Sequence, residues 1–336
     1  MPYSRHIPTF NVYGGIKMEY RRLISFGKSS FVVSLPKGWV VQNKLKKGDL
    51  IYFEESGPNL VLTSNADTSN DKEKESVINV DGKNVSLIDR EVSSAYIQNC
   101  KCITLKGKEI KSKVKELQGT IQNLMALEVM EQNPDAIIAK DFLNMETVSA
   151  KELVRKMDIV ARTMLSETAD IFSEDNSIGI AERDKDVDRL YFLLYRAILF
   201  NLENPTIALK KFKLRSVELT KYLFYGFYIE GVADEAKRTS SFLSKLKISR
   251  SEKEKIESIL KKLNQLYLDT MKTIYNEDAE KALSLSEQKA VINKDLDKIE
   301  RNNVPIEQYG KAIARLRILL SNIHNLGRVV YTLSNY

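Results

Sequence analysis

The sequence predicts an α+β protein of several domains, with a β-rich amino-terminal part followed by a long helical part. The chain has 336 residues, a length typical of two or three domains. Hydrophobic residues make up 43% of it and charged residues 29%, which are ordinary proportions for a protein with a packed core. With only 14 glycines and 7 prolines, the chain favours long helices over many-turned β structure.

The amino-terminal part divides into two segments. Residues 1–17 contain no apolar signal-peptide core, and we expect them to form an unstructured extension. Residues 18–65 contain the short β-rich runs RRLISF, SFVVSL, LIYFEE and LVLTS, with a proline-initiated helix, PKGWVVQNKL, between the second and the third. Four strands and one short helix in so few residues bury little apolar surface. We therefore expect this domain to form a homodimer.

A polar, charged segment, residues 66–77, is predicted to be a linker. Residues 78–145 are predicted to form a small α+β module. In this module we expect a strand at NVSLI (residues 84–88), a helix at DREVSSAYIQN, a strand at CITLKG, a helix at KEIKSKVKELQGTIQNLM and a hairpin turn at residues 133–135.

The rest of the chain is predicted to be helical and to form two three-helix units, residues 146–246 and 247–336. Turn-forming stretches divide it into six helices; they lie at residues 173–179, 202–206, 247–252, 274–278 and 301–305. The stretches EDNS and YNED each end the first helix of a three-helix block, which indicates a weak internal repeat.

Acidic residues of the second predicted helix fall into two groups. At about 100° per residue, Asp184 and Asp188 lie within roughly 100° of Val187, at the edge of the apolar stripe. Glu182 and Asp186 point away from that stripe, and we expect them to be solvent acids in the first turns of the helix.

The following helix carries a second acidic pair at the same spacing. Leu219, Leu223 and Phe227 form an apolar stripe, and its next positions are Glu230 and Asp234. Two carboxylates there repel each other, and when partly buried they need a cation. That cation is either a metal ion or a nearby basic side chain; a solvated acidic face is the third possibility.

The composition limits which metal fits such a site. The chain has only two histidines, His6 and His324, and they lie far apart in sequence, so a histidine-based metal site is not expected. The predicted metal ligands are the carboxylates Asp184, Asp188, Glu230 and Asp234. If basic side chains neutralise these acids instead, the nearest candidates in sequence are Arg183 and Arg189. Carboxylate ligands favour hard or intermediate divalent or trivalent ions, among them Mg, Mn, Ca, Fe and Zn.

The corresponding positions of the second three-helix unit carry less charge. Asn293 and Asp297 match the first pair, and Ser321 and Asn325 match the second. We expect metal binding there to be weak or absent.

The two cysteines, Cys100 and Cys102, match neither a usual zinc pattern nor a redox pair, and we interpret them as reduced thiols of a cytoplasmic protein. No apolar run approaches the ~20 residues that a membrane-spanning helix needs, so we expect no membrane insertion.

Residues 18–65 carry seven lysines and arginines against four acids, and the whole chain has a formal net charge of +7. A basic β surface suits nucleic-acid phosphates, although a solvated basic face is an equal alternative. The candidate DNA-binding residues are Arg21, Arg22, Lys28 and Lys37.

Two family resemblances rest on these motifs. The stretch GKSSFVVSLPKGWVVQNKLKKGDLIYFEESGPNLVLTS resembles the AbrB/MazE/SpoVT domain, with its SLPK strand end and its LKKGD turn. The helical part resembles PhoU, the phosphate-uptake regulator, because RDKDVDRLY and EGVAD match the (D/E)-x-x-x-D motifs of that family. The order of the two resembles archaeal-type PhoU regulators.

These resemblances imply a swapped-hairpin β-barrel followed by a PhoU-like pair of three-helix bundles. They also imply a non-enzymatic, cytoplasmic regulator of phosphate uptake that binds metal through the two acidic pairs and DNA through its dimeric β domain. The alternative is an interaction protein that docks on a phosphate ABC transporter or its signalling partners and uses the β domain only to dimerise. A metal-dependent hydrolase is the least favoured class, because the chain shows no P-loop and no nucleophile motif.

Overall fold

The chain folds into two units, Met1–Asp71 and Lys72–Tyr336, in a computed structural model. The structure describes residues 10–11, 17–18, 20–28, 30–56, 59–64, 73–301 and 306–334. The first unit contains short strands and one helix, and the second contains a small mixed sheet followed by long helices. The predicted α+β class is confirmed.

The first unit consists of paired short strands around one helix. Its elements are β1 (Phe10–Asn11), β2 (Lys17–Met18), β3 (Ile24–Phe26), β4 (Ser30–Val32), α1 (Lys37–Gln42), β5 (Tyr52–Ser56) and β6 (Asn59–Thr63). Consecutive strands pair antiparallel as three two-stranded ribbons. The four predicted strands and the helix of residues 18–65 are present. Of the predicted extension, β1 and Lys17 are described and lie in a ribbon; its other residues lie outside the described ranges.

The first unit leaves its apolar side chains in solvent. None of the side chains described in it is buried. Ile24, Phe26, Phe31 and Phe53 each keep at least 60% of their surface exposed. Large exposed apolar side chains in such number are typical of an interaction face.

The second unit begins with a four-stranded sheet covered by two helices. Its elements are β7 (Glu75–Asn79), α2 (Val85–Ile97), β8 (Cys102–Lys106), α3 (Ile110–Gln122), β9 (Leu127–Asn133) and β10 (Ala136–Asp141). The strand order is β7-β8-β10-β9, with β7 and β8 parallel and the other neighbours antiparallel. The predicted hairpin turn is confirmed, because Asn133 pairs with Ala136 across it.

Two predictions for this region are wrong. Residues 84–88 do not form a strand: Asn84 caps α2, its side chain accepting a hydrogen bond from the Leu87 amide at 2.8 Å. The strand is β7, which begins inside the segment predicted as a linker, residues 66–77. The apolar run of residues 77–80 is short, and the buried Ile78 and Val80 alternate with exposed neighbours, as a strand requires.

The remaining elements are helical. They are a short 3₁₀ turn (Met145–Thr147), α4 (Ala150–Ala169), α5 (Ser177–Glu203), α6 (Pro205–Ile207), a π-helical turn (Ala208–Phe212), α7 (Ser216–Leu243), α8 (Arg250–Asn276), α9 (Ala279–Ser286), α10 (Gln288–Arg301) and α11 (Ile306–Thr332). Four predicted breaks coincide with helix ends, and the fifth lies mostly outside the described residues. The predicted count of six helices is wrong, because α6 and the π turn follow α5 and because residues 279–301 form two helices. In the described ranges, no helix combines the length and apolar character needed to cross a membrane.

Helix α7 lies at the centre of the helical part and contacts α4, α5 and α11. A continuous buried core runs through these helices and α8. Gly226 allows the close approach of α5 and α7, because a Cβ added there would lie 2.3 Å from Leu194 Cδ2. This contact joins the carboxyl-terminal half of α5 to the amino-terminal half of α7, and an ion pair between Asp184 and Lys237 joins their opposite halves, so the two helices run antiparallel.

A buried ion pair attaches the sheet module to α5. The Arg196 guanidinium donates to both carboxylate oxygens of Asp141, at 3.0 and 2.6 Å, and to Asn99 at 2.9 Å. It also lies 4.5 Å from the centre of the Tyr96 ring. Burial would raise the pKa of Asp141, but hydrogen bonds from Arg196 and Lys101 lower it. This contact fixes the position of α5 relative to the sheet.

Candidate metal centre

Asp184 and Asp188 lie against the core on α5. Asp184 is 4% exposed and Asp188 is half-buried, on either side of the fully buried Val187. The side chains of Glu182 and Asp186 are 66% and 62% exposed. The predicted division into two inward and two solvent acids is confirmed.

Glu230 and Asp234 lie partly buried on α7. Of the predicted apolar stripe, Leu219 is buried and Leu223 packs against the core, but the prediction for Phe227 is wrong. Phe227 is 52% exposed. The core side of α7 runs through Ile229 and Ala233, and Phe227 lies roughly 160° around the helix from Ile229. Since α7 packs against three helices, its buried face is broad, and the two acids lie at the edge of that face.

Asp188 and Glu230 lie close enough to the other carboxylates for their pKa values to be raised. Burial, then Asp184 and Asp234, raise the pKa of Asp188 to about 6. Burial, then Asp188, Asp234 and Asp184, raise the pKa of Glu230 to about 7. The structure thus brings the two predicted pairs into one acidic centre, which we define as Asp184, Asp188, Glu230 and Asp234.

A lysine from α7 neutralises part of this centre. The Lys237 ammonium donates a hydrogen bond to Asp184 and contacts Asp234 at 3.0 Å. Burial would lower the pKa of Lys237, but its hydrogen bonds to Asp184 and Asp234 raise it. Arg238, also on α7, contacts Asp234 at 2.7 Å. Neither residue is among those predicted from the sequence, although their positions three and four residues after Asp234 are a usable signal.

The predicted alternative partners are engaged elsewhere. Arg183 pairs with Glu167 at 2.8 Å, and Arg189 lies 4.0 Å from Asp186. The basic partner therefore comes from α7 and not from α5, where sequence proximity placed it.

Tyr191 adds a neutral group to the edge of the acidic centre. Burial, then Glu230, raise the pKa of this phenol to about 12. A tyrosine that stays protonated beside a carboxyl group can donate a hydrogen bond to it.

The acidic centre contains more negative than positive charge. In the described part of the chain, no three His, Cys, Asp or Glu side chains converge on a common metal position. Lys237 lies between Asp184 and Asp234, at the place where a cation is electrostatically favoured. The donor set is made of carboxylates, which fits a hard divalent or trivalent ion, and the repulsion that raises the pKa values of Asp188 and Glu230 would be relieved by one.

The second three-helix unit carries its own cation at the corresponding place. Arg317 of α11 donates to Asn293 at 3.2 Å, to Asp297 at 2.7 Å and to Glu300 at 2.9 Å. Weak or absent metal binding there stays a prediction, and Arg317 supplies a physical reason for it.

The candidate DNA-binding residues are spread along the first unit. Arg21 and Arg22 precede β3, Lys28 lies in the turn between β3 and β4, and Lys37 begins α1. Arg22 and Lys28 lie at opposite ends of the ribbon, separated by roughly 13 Å of strand. Arg22, Lys28 and Lys37 are exposed, and Arg21 is half-buried.

Comparison of the chain with protein-family models, with curated proteins and with solved structures found no match. The resemblance to PhoU and to AbrB-like domains therefore rests on the sequence motifs alone.

Proposed function

We propose that this chain is a non-enzymatic, dimeric regulator of phosphate uptake, which binds metal ions at the acidic centre and DNA through the first unit. The metal ion would be held by Asp184, Asp188, Glu230 and Asp234. A bound cation would supply charge neutralisation between α5 and α7, so that metal occupancy would change how firmly these helices are held together.

The acidic centre is the observation that carries this proposal. Asp188 and Glu230, whose pKa values are raised to about 6 and about 7, lie in a centre where the two cations Lys237 and Arg238 contact only the other two carboxylates, Asp184 and Asp234. Such an arrangement costs folding free energy unless a cation binds. For the ion to bind, the Lys237 ammonium must leave Asp184 and Asp234 and the Arg238 guanidinium must leave Asp234, since these cations lie against two of the four ligands.

The metal-binding part is tested by titrating the full-length protein with Mn²⁺ in a calorimeter. We expect Asp188→Asn and Glu230→Gln to weaken binding at least about tenfold, because each removes one charged ligand. Glu182→Gln and Asp186→Asn are matched controls, since they remove exposed acids from the same region of α5. Equal Mn²⁺ binding by all four variants, or no binding by the wild type, would remove the proposed centre.

The exposed apolar ribbons of the first unit support the dimer, because a partner copy would cover them. A dimer would also carry two sets of Arg22 and Lys28.

The DNA role is tested by measuring how the affinity of the full-length protein for a DNA duplex depends on salt concentration. The duplex is taken from upstream of the gene that encodes the protein. Arg22→Gln combined with Lys28→Gln should reduce the salt slope by about one for each DNA phosphate that these side chains neutralise. An unchanged slope contradicts DNA binding by these residues; Lys111→Gln with Lys140→Gln, on the second unit, is the control.

An exposed aromatic patch on α7 favours the second candidate, a protein that docks on a transporter or signalling partner. Phe224 and Phe227 are 41% and 52% exposed, and both rings contact Tyr228. Exposed aromatic side chains are typical of interface centres. Metal binding without any DNA binding would favour this candidate over the first.

A further inference from the structure

A large cleft opens beside the acidic centre, among α5, α7 and α11. Its volume is about 1070 Å³, and its walls include the amino end of α5, the carboxyl end of α7 and Lys311 and Arg315 of α11. Ligand pockets in proteins usually occupy about 300–1,000 Å³, so this cleft has room for a molecule much larger than a single inorganic anion.

The walls of the cleft are basic. Five cationic side chains line it: Lys237, Arg238, Lys245, Lys311 and Arg315. Two acids, Glu182 and Asp175, also line it. Glu182 pairs with Lys185 at 2.9 Å, and Asp175 accepts a hydrogen bond from the Ser177 amide at 3.0 Å. Three of the cations contact carboxylates that do not line the cleft: Lys237 contacts Asp184 and Asp234, Arg238 contacts Asp234 and Glu235, and Arg315 contacts Glu235. The lining side chains still carry five positive formal charges against two negative ones, and this excess favours an anion.

A buried carboxylate holds two of the cations at this wall. The Glu235 side chain is 5% exposed; Arg238 contacts it at 3.1 Å and Arg315 of α11 contacts it at 3.3 Å. Arg238 also contacts Asp234 at 2.7 Å. Each guanidinium has five N–H donors, so these contacts leave donors for another acceptor. The planar arginine guanidinium can donate two parallel hydrogen bonds to the oxygens of a phosphoryl group, which the lysine ammonium does not match as well.

The cleft also has an apolar side. Three apolar side chains line it together with the cations: Ile178 at the start of α5, Phe242 near the end of α7 and Leu246 just after that helix. A wall of this mixed character fits a ligand that is anionic at one end and less polar at the other. The amino end of α5 adds the partial positive charge of its helix dipole.

We propose that this cleft binds a small molecule carrying two or more linked phosphoryl groups. Cations of α7, of the segment that follows it and of α11 line a volume too large for one phosphate, and a chain of phosphoryl groups would span it. A free polyphosphate and a nucleoside polyphosphate share this chemistry. The proposal goes beyond the regulator proposed above and needs no metal ion.

The test is calorimetric titration of the full-length protein, in EDTA and low salt, with sodium tripolyphosphate, with ATP and with inorganic phosphate. We expect tripolyphosphate and ATP to bind more tightly than inorganic phosphate. Lys245→Gln should weaken tripolyphosphate binding about fivefold, and Lys245→Gln with Lys311→Gln at least about tenfold, because each substitution removes one charge from the wall. Lys247→Gln removes an exposed lysine two residues away from Lys245 but outside the cleft, and should change binding less than about twofold.

Tighter binding of ATP than of tripolyphosphate would place the nucleoside on the apolar side, and equal binding would assign the cleft to the polyphosphate chain alone. No binding of either probe at about 1 mM overturns the proposal. Equal weakening by Lys245→Gln and Lys247→Gln also overturns it, since that result indicates non-specific charge attraction. Because EDTA is present, these outcomes do not depend on whether the acidic centre binds Mn²⁺.

Discussion

Replacing Glu230 with glutamine should stabilise the metal-free protein at neutral pH. Burial, then Asp188, Asp234 and Asp184, raise the pKa of this carboxyl from 4.5 to about 7. A carboxyl whose pKa is raised on folding binds its proton more tightly in the folded state. Its ionisation therefore costs stability, and this cost grows as the pH rises from about 4.5 to about 7 and is complete above that range.

The magnitude follows from the shift. Linkage between an unfolded pKa of 4.5 and a folded pKa of about 7 gives a cost of about 3 kcal/mol at pH 7.5 and about 1 kcal/mol at pH 5. Because Glu230 is only half-buried, solvent screening lowers the expected cost at pH 7.5 to about 1–2 kcal/mol. Glu230→Gln should then raise the melting temperature at pH 7.5 by about 2–5 °C.

The assay is thermal unfolding of full-length protein in EDTA, followed by the helical circular dichroism signal, at about pH 5 and about pH 7.5. The gain from Glu230→Gln should be clearly larger at the higher pH. Glu182→Gln is the control, because its side chain is 66% exposed and its removal should change the melting temperature little at either pH. A gain of equal size at both pH values, or a decrease at the higher one, would refute the assignment of Glu230 to a crowded acidic centre.

Two further predictions concern how α5 is positioned. Gly226→Ala should destabilise the protein by about 1–3 kcal/mol, because the new methyl group overlaps Leu194. Gly119→Ala is the control: its methyl group meets no atom within 4 Å, and the substitution should stabilise the protein by about 0.5–1 kcal/mol. Urea unfolding of both variants measures the change in the free energy of unfolding. Arg196→Met should destabilise by about 3 kcal/mol, because it leaves the Asp141 carboxylate buried without its main partner, and a melting temperature equal to that of the wild type would contradict this account.

Predictions from sequence were most accurate where one helix determines the outcome. Asp184 and Asp188 turn inward while Glu182 and Asp186 stay in solvent, because the helical repeat alone sets which side chains share a face with Val187. The helix ends at four of the five predicted breaks follow from local chemistry in the same way, since turn-forming residues act within a few positions of themselves.

Predictions failed where the partner surface determines the outcome. Residues 84–88 contain apolar residues that fit either a strand or a helix, and the Asn84 cap together with packing of Ile88 selects the helix. Phe227 continues an apolar stripe in the sequence, yet it is exposed because α4, α5 and α11 cover the other side of α7. Short apolar runs do not record which neighbours will cover them.

The sequence alone was sufficient to pair Asp184 with Asp188 and Glu230 with Asp234, because residues four apart on a helix must be neighbours. Only the tertiary structure placed the two pairs together, inserted Lys237 between Asp184 and Asp234, and joined side chains of α7 and α11 into one basic cleft. The physical reason is the distance along the chain over which each effect acts. Spacing along a helix is a local property of the backbone, whereas the meeting of charges from separate helices depends on how their buried faces pack.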